Sequence, residues 1–399
     1  MKRLLLLGGS RYILPVIEAA HKLGYYVITC DYLPDNIAHK YADEYCNVSI
    51  IDKEAVLEAA KKLNIDGVLS FACDPGVATA AYVAEQLGLP HSGSYESVSI
   101  LQNKGRFRKF LADNGFRVPN AKGYTSVEEA LGDVDYFNWP VIVKPTDSAG
   151  SKGVTRVDDP AKLRESIEYA LQFSHSDEFI IEDFLEKVGH SSDTDSFSVD
   201  GKLKFVSFSA QRFDENCENP YTPSAYSWPS TLSKAHEEEL TGEIQRLLTL
   251  LDMKTSIYNI EVRECTNGNA YIMECSPRGG GNRLAEMLRY ATGVDLVTNA
   301  VRAAVGDPVV DVEQKPYNGC WAEVILHSEK PGVFDSLWIS DEIKENIVER
   351  DLWITAGTEV GGFSGANEAI GTLVLRFDTN EELERVLSDQ AKYIKVVLK

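Results

Sequence analysis

The 399-residue sequence predicts an α/β fold that passes into α+β: an open parallel α/β domain over residues 1–95, an α+β core over 96–306 and an α+β region over 307–399. Three observations predict it. Short apolar runs alternate with helical patterns through the first ninety-odd residues, which implies parallel strands with covered faces. Beyond them, pairs of apolar runs are joined by turn dipeptides or glycine-rich loops, the pattern of antiparallel pairing. The composition, 44% hydrophobic and 25% charged, is that of a soluble globular chain long enough for two or three domains with substantial cores.

Charge and cysteine usage narrow the function classes. A formal net charge of −21 argues against a nucleic-acid or anionic-membrane partner, because such a surface repels phosphates. The seven cysteines include no C-x-x-C pair and mostly sit in apolar runs, as reduced core residues of a cytoplasmic protein would. Met1-Lys2-Arg3 and four leucines pass straight into Gly8-Gly9 without the apolar stretch of a signal peptide, so the leucines are expected to form a strand.

In chain order, 3–7 reads as a strand, 8–10 as a turn, 12–23 as a helix closed by Gly24, and 26–30 as a second strand ending at Asp31. Helix 53–63, strand 67–71 and helix 77–87 continue the alternation. A dinucleotide site would need G-x-G-x-x-G, but Gly8-Gly9-Ser10-Arg11-Tyr12 puts a bulky Tyr where small residues should let the backbone approach. The better reading is a ligand-binding domain whose Gly8-Gly9 turn and Cys73-Asp74-Pro75 loop lie at strand carboxyl ends.

Residues 97–115 form a basic helical stretch with Lys104, Arg106, Arg108 and Lys109; runs of this kind are usually solvated faces. Residues 139–145, W-P-V-I-V-K-P, read as a buried strand with Lys144 at its end. Residues 146–153 are a small, polar, glycine-rich loop, and 154–157 resume extended structure. Strand, loop, strand differs from the strand, loop, helix of a P-loop. Such a loop can fold its N–H groups over phosphates while Lys144 and Lys152 neutralise charge; a solvated hairpin turn also fits, although an unpaired buried ammonium is costly. Residues 179–186 are a strand running into a linker, 195–199 and 203–210 are further strands, and 212–233 is a long loop with three prolines, suited to a lid. Helices follow at 234–251 and 284–305, the latter broken at Gly293. Past Asp307 come strand 318–326, a glycine-rich turn at 357–365, strand 371–377 and helix 381–393.

Between those helices, two alternating runs, 257–264 and 270–275, flank Asn267-Gly268, a dipeptide that favours the type I′ turn of a hairpin. With Asn267 and Gly268 as the two turn residues, Glu261 falls opposite Glu274. One face then carries Asn259, Glu261 and Arg263 against Ile272, Glu274 and Ser276, and the other buries Tyr258, Ile260, Val262, Tyr271, Met273 and Cys275. Opposed like charges are unfavourable by roughly 0.2–1 kcal/mol, so the pair asks for a cation, and magnesium takes hard oxygen ligands of this kind. Two solvated glutamates, partly neutralised by Arg263, would fit as well. Arg278-Gly279-Gly280-Gly281 follows at once, offering a guanidinium fork and backbone N–H groups to an anion.

Taken together, Lys104, the V-I-V-K-P strand with its S-A-G-S-K-G loop, the I-I-E-D-F-L linker and the paired glutamates ahead of P-R-G-G-G resemble the ATP-grasp superfamily over nearly the whole chain. The resemblance implies a pre-ATP-grasp α/β domain at 1–95, an ATP-grasp core holding nucleotide between two α+β subdomains at 96–306, and a C-terminal α+β region. By similarity to biotin carboxylase, D-alanine–D-alanine ligase and L-amino-acid ligases, it implies that Lys104 and Lys144 contact ATP phosphates and that Ser148, Gly150, Ser151 and Gly153 close over them. It further places Glu182, Asp183 and Leu185 at adenine, His190 on the ribose side, and Glu261 and Glu274 on magnesium. Arg278 steadies an acyl phosphate, and Arg278 and Lys152 are the expected catalytic groups. Ser276 stands where the family usually has Asn, which bears on a second magnesium, and Ser191 stands near a common Glu. Met253-Lys254 lacks the flanking methionine of a biotin acceptor.

The implied activity is ATP-dependent ligation of a small carboxylate to an amine through an acyl phosphate, releasing ADP and phosphate. One or two magnesium ions take part, manganese can substitute, and the expected form is a cytoplasmic enzyme, as a monomer or homodimer. Two rivals stand beside it: a module that binds ATP as a regulator, and a nicotinamide-dependent oxidoreductase on the N-terminal domain.

Overall fold

The structure is a computed structural model that describes residues 1–148 and 152–399; Gly150 and Ser151, expected in the phosphate loop, lie outside the described residues. Four parallel strands, β1 (Arg3–Leu7), β2 (Tyr26–Cys30), β3 (Glu44–Cys46) and β4 (Gly67–Ser70), form the first sheet in the order β3-β2-β1-β4. The leucine run is buried on both faces. Leu4 and Leu6 pack with Ile13, Val16 and Ile17, while Leu5 and Leu7 pack with Ile28, Val56 and Leu57. That two-sided burial is why the run carries no polar alternation. The first helix, Leu14–Lys22, starts later than expected because Arg11–Ile13 make a 3₁₀ turn.

The basic stretch is two helices, Tyr95–Gln102 and Lys104–Asp113. Asn103 breaks it, its side-chain oxygen accepting from the Arg106 N–H at 2.9 Å as the cap of the second helix. Lys104 therefore opens a helix. An antiparallel sheet follows, β5 (Ala121–Tyr124), β6 (Val141–Pro145), β7 (Thr155–Val157) and β8 (Phe179–Asp183), in the order β5-β8-β6-β7, with helix Leu163–Leu171 packed on it.

Next come β9 (Ser192–Val199), β10 (Lys202–Phe205), β11 (Ala210–Phe213), β12 (Pro223–Trp228), β13 (Ser256–Glu264) and β14 (Ala270–Ser276). The segment expected as a single long loop, 212–233, thus contains strand β12. Pro223 can stand there because it is the first residue of the strand, where a missing N–H costs least. β9, β10, β13 and β14 form a sheet ordered β10-β9-β13-β14, backed by apolar residues of helix Lys234–Leu250.

The hairpin differs from its expected form in two ways. Its tip is not a two-residue type I′ turn. The Gly268 N–H donates to the Cys265 carbonyl and the Cys265 N–H to the Asn269 carbonyl, both at 2.9 Å, with Gly268 at φ +78°, which makes a three-residue loop, 266–268. This shifts the register by one, so Val262 faces Ile272 and Arg263 faces Tyr271. A bulge before Glu274 then restores it, and Glu261 does face Glu274. The face assignment changes accordingly. Ile272 joins Tyr258, Ile260, Val262 and Cys275 in the core, while Tyr271 and Met273 cluster with Cys265 and Leu185.

Helices Leu284–Thr292 and Leu296–Ala304 pack into the large central core. The last strands are β15 (Cys320–Leu326), β16 (Gly332–Ile339), β17 (Ile347–Leu352), β18 (Glu359–Val360), β19 (Gly371–Phe377) and β20 (Ile394–Leu398). A five-stranded sheet runs β11-β12-β15-β19-β17, so strands on both sides of residue 306 share one sheet. Among the described residues no helix is long and apolar enough to cross a membrane.

Candidate active site

Register across three adjacent strands builds the centre of the site. Asp193 on β9, Glu261 on β13 and Glu274 on β14 lie side by side, and the next row on that face is Asp195, Asn259 and Ser276. Cations reach the first row from its edges: Lys104 Nζ lies 3.3 Å from Glu274 Oε1, and Arg263 Nη2 lies 3.3 Å from Glu261 Oε1. Burial pulls the Lys104 ammonium down, but Glu274 and Asp74 outweigh it and leave it raised.

Asp193 has neutral partners. Asn259 Nδ2 donates to it at 2.8 Å and Gln211 Nε2 at 3.2 Å. Burial, then the charge of Glu261, pushes its carboxyl up to about 7. Asp195 is fully buried; its Oδ1 accepts from the Gly280 N–H at 2.8 Å, while its Oδ2 has no partner. Burial pushes it also up to about 7, against the pull of the Gly280 N–H and Arg278. The face therefore holds more negative charge than its own cations cancel.

A second charged cluster, on β8, is closed. Glu182 accepts from Arg108 Nε at 2.6 Å and from Lys144 Nζ at 2.8 Å, and Arg108 Nη1 also donates to the Met273 carbonyl at 2.8 Å. Burial would raise this carboxyl, but Arg108 and then Lys144 hold it down at about 2. Asp183 receives the backbone N–H of Asn138 at 2.8 Å and its Nδ2 at 2.7 Å, which fixes the start of the linker. The Leu185 carbonyl accepts from Arg263 at 3.3 Å, and its side chain packs on Cys265, Tyr271 and Met273, an apolar wall beside the cluster. His190 lies with another group: its Nε2 is 2.8 Å from Arg212 Nη1, and burial, then Arg212, pulls the imidazole down to about 4.

Described residues on both sides of the carboxylate rows bear on them. The Ser148 carbonyl accepts from Lys104 at 3.0 Å, and Lys152 is exposed just beyond the undescribed residues. Gly153, at φ +71°, packs so that a Cβ would lie 2.9 Å from the Phe173 ring, so its glycine serves packing against the end of helix Leu163–Leu171. Arg278 is gripped by Asp74 through two contacts, Nε–Oδ1 at 2.9 Å and Nη2–Oδ2 at 2.7 Å. Burial opposes its charge, and Asp74 more than offsets it. Ser276 is engaged as well, accepting from Gln102 at 2.8 Å and donating to Asp74 at 3.1 Å. Gly279 and Gly280 admit no side chain: a Cβ would come within 2.2 Å of Phe71 and within 2.5 Å of Leu284, respectively. With the Ala72 N–H donating to the Gly279 carbonyl at 3.0 Å, this loop is clamped to the N-terminal domain.

So Lys104, Ser148, Glu261, Glu274, Ser276 and Arg278 are brought together, Lys144, Glu182, Asp183 and Leu185 form the adjoining edge, and His190 belongs to the Arg212 group. Sequence reasoning missed Arg108, taken as part of a solvated face but 5% exposed, and it missed Asp193, Asp195 and Asn259 as a unit. The signal was present in the alternation Ser191-Ser192-Asp193-Thr194-Asp195-Ser196, which puts both aspartates on one strand face. Asp74 was seen only as part of a loop at a strand end.

Residues 137–286 match the family described as an ATP-grasp domain. The chain is 25% identical over 292 residues to the carbamoyl phosphate synthase large chain of Thermotoga sp. (strain RQ2), an alignment covering 73% of this chain and 26% of that protein. It thus spans about a quarter of the length of the first curated relatives it matches. The crystal structure of L-amino acid ligase from Bacillus licheniformis superposes with a TM-score of 0.81 at 18% identity, covering 100% of this chain and 99% of that one. The biotin carboxylase domain of Hydrogenobacter thermophilus 2-oxoglutarate carboxylase, solved with MgADP, superposes with a TM-score of 0.74 at 16% identity, covering 100% and 91%. At these identities the two structures speak for the fold.

Proposed function

We propose, because the chain carries an ATP-grasp domain over residues 137–286, that the protein is an ATP-dependent carboxylate–amine ligase that forms ADP. The observation that supports this most is the row of Asp193, Glu261 and Glu274, whose excess negative charge lies beside Lys104 and the Asp74-gripped Arg278. A face of carboxylate oxygens suits magnesium, and manganese by the same oxygen chemistry. Glu261 and Glu274 would hold it, with Asp193 as a further oxygen donor if two ions bind; Ser276 is already committed to Gln102 and Asp74. Magnesium supplies positive charge to phosphate oxygens during phosphoryl transfer.

The chain's own groups do the rest by positioning and charge. Lys104, Lys144 and Lys152 neutralise phosphates under the loop of Ser148, Gly150, Ser151 and Gly153. Glu182, Asp183 and Leu185 present the linker to adenine, with Met273 and Tyr271 extending the apolar wall. His190 would lie toward the ribose. Arg278, oriented by Asp74, steadies the carboxylate as it takes the γ-phosphoryl group, and an amine then attacks the acyl phosphate and releases phosphate. Both substrates are small molecules, and the reading extends to a cytoplasmic homodimer.

The nicotinamide rival is less well supported, because Asp31 already accepts from the Leu33 N–H at 3.0 Å and from Asn36 at 3.1 Å. A Cβ at Gly9 would also come within 2.6 Å of Asn36, so that turn is filled by the protein itself. The test is a hydroxylamine trap. With ATP, magnesium and a panel of amino acids, hydroxy acids and amino sugars, the correct acid should yield a hydroxamate and ADP. AMP with pyrophosphate would mean an adenylate and overturn the mechanism, and magnesium-ATP binding with no turnover on any acid would favour the regulatory module.

A further inference from the structure

Away from the carboxylate rows, three side chains of different chemistry converge. Asp214, Cys217 and His327 each present a ligand atom, and these atoms all lie within 4.8 Å of one another. Asp214 and Cys217 come from the turn that follows β11, and His327 is the residue after β15. Cys217 is 7% exposed and His327 9%, and the imidazole stacks on Phe363 with centroids 4.0 Å apart.

The hydrogen bonding assigns the ring nitrogens. His327 Nδ1 lies 2.7 Å from the Ile325 carbonyl, which can only accept, so Nδ1 carries a proton. Nε2 faces Asp214 Oδ2 at 3.2 Å, and the Asp214 carboxylate also receives the Cys217 thiol. A neutral ring would aim its Nε2 lone pair at a carboxylate oxygen, so a proton or a cation must stand between them. A catalytic Cys–His–Asp relay is a different layout, with thiol and carboxylate on opposite nitrogens. Here the backbone holds one nitrogen, and both acidic groups gather at the other. That is the layout of a metal-binding histidine, whose remote N–H is oriented by a carbonyl.

We infer that Asp214, Cys217 and His327 bind a divalent transition-metal ion of the zinc class through Oδ2, Sγ and Nε2, with water completing a tetrahedron. A mixed oxygen, sulfur and nitrogen set selects zinc and its neighbours over magnesium. Tetrahedral bonds of about 2.0–2.3 Å place ligand atoms about 3.6 Å apart, so side-chain rotation of about an ångström closes the site. Binding breaks the Cys217 S–H bond, forms a sulfur–metal bond and releases the proton to solvent. The metal ties the turn after β11 to the end of β15. This inference is independent of the ligase reading, and either can fail alone.

The test uses the full chain, stripped with a chelator, desalted, and titrated with cobalt(II) in excess magnesium. One equivalent should bring up a thiolate-to-cobalt charge-transfer band and strong visible bands of a tetrahedral ion, and zinc should displace it. Cys217→Ser should abolish the charge-transfer band, and Asp214→Asn should weaken cobalt binding at least tenfold. Absence of the band in the wild type, or its survival in Cys217→Ser, overturns the assignment. If Cys217→Ser does not fold, alkylation of the wild type decides: zinc should protect Cys217, read by mass spectrometry, and equal labelling with and without zinc refutes the site.

Discussion

Glu182 and Asp195 are both buried carboxylates, 1% and 0% exposed, yet one is held down at about 2 and the other pushed up to about 7. Glu182 has a guanidinium and an ammonium within 2.8 Å, whereas Asp195 has only N–H dipoles and one oxygen left without a partner. The difference teaches how to divide the site. The β8 edge is electrostatically finished in the free protein, so losing Arg108, which bonds both Glu182 and the Met273 carbonyl, should cost stability. The rows on β9, β13 and β14 carry an excess charge, so losing a carboxylate there should spare the fold and cost turnover.

Arg108→Ala gives the largest expected effect. It leaves Glu182 with Lys144 alone and strips the Met273 carbonyl of its donor, and breaking a buried pair in this way costs about 3–5 kcal/mol. Denaturant melts measure it, and a loss below about 1 kcal/mol would erase the distinction. Glu274→Gln should do the reverse. The metal-free protein should stay within a few tenths of a kcal/mol of wild type, because one cross-strand repulsion and one half-exposed ion pair with Lys104 are lost together. Turnover should fall about 100-fold, roughly 2.7 kcal/mol, and the thermal shift produced by magnesium and ATP should shrink with it. A variant that melts early and turns over normally would make these glutamates structural.

The third prediction uses pH to sharpen the contrast. Asp195 has a folded value above its unfolded one of about 4, so the native state holds the extra proton, and the associated stability is present below about pH 4 and lost as pH rises through about 7. Glu182 is depressed, so its contribution is present above about pH 4.5 and lost as pH falls toward about 2. Metal-free Asp195→Asn should therefore gain about 2–3 kcal/mol on wild type between about pH 5 and 8. A flat difference would mean that Asp195 is not desolvated as described. Smallest is Lys144→Ala, expected to raise the apparent KM for ATP by up to about tenfold, about 1.4 kcal/mol, by removing a cation at the mouth of the loop. Unchanged ATP kinetics with a lower melting temperature would assign this lysine wholly to Glu182.

How much of this was legible in the sequence depends on whether the signal is local. β1, β2 and the helices 53–63 and 77–87 were readable to the residue, because each is bounded by its own turn or cap. β3, β16, β17 and β20 were not, since they are short or half-exposed and owe their pairing to distant strands. The Glu261–Glu274 opposition was legible, although by a route in which the longer tip and the bulge cancel. Arg108 was read as solvated because its partner lies 74 residues away, and only the fold brings Glu182 over it. The Asp214, Cys217 and His327 cluster is hidden for the same reason.

The bulge on β14 has a consequence for how such a site can diversify. If the same chain closed as a two-residue turn, with Thr266 paired to Asn269, the bulge would vanish. The carboxylates would keep their opposition, while Tyr271 and Ile272 exchanged faces, changing the wall beside Leu185 from aromatic to aliphatic. The turn at the tip thus acts as a dial on the surface offered to a ligand, with the charged centre locked. A substitution at the tip that favours the tighter turn could therefore retune recognition far from the chemistry, with the chain length and the carboxylate opposition unchanged.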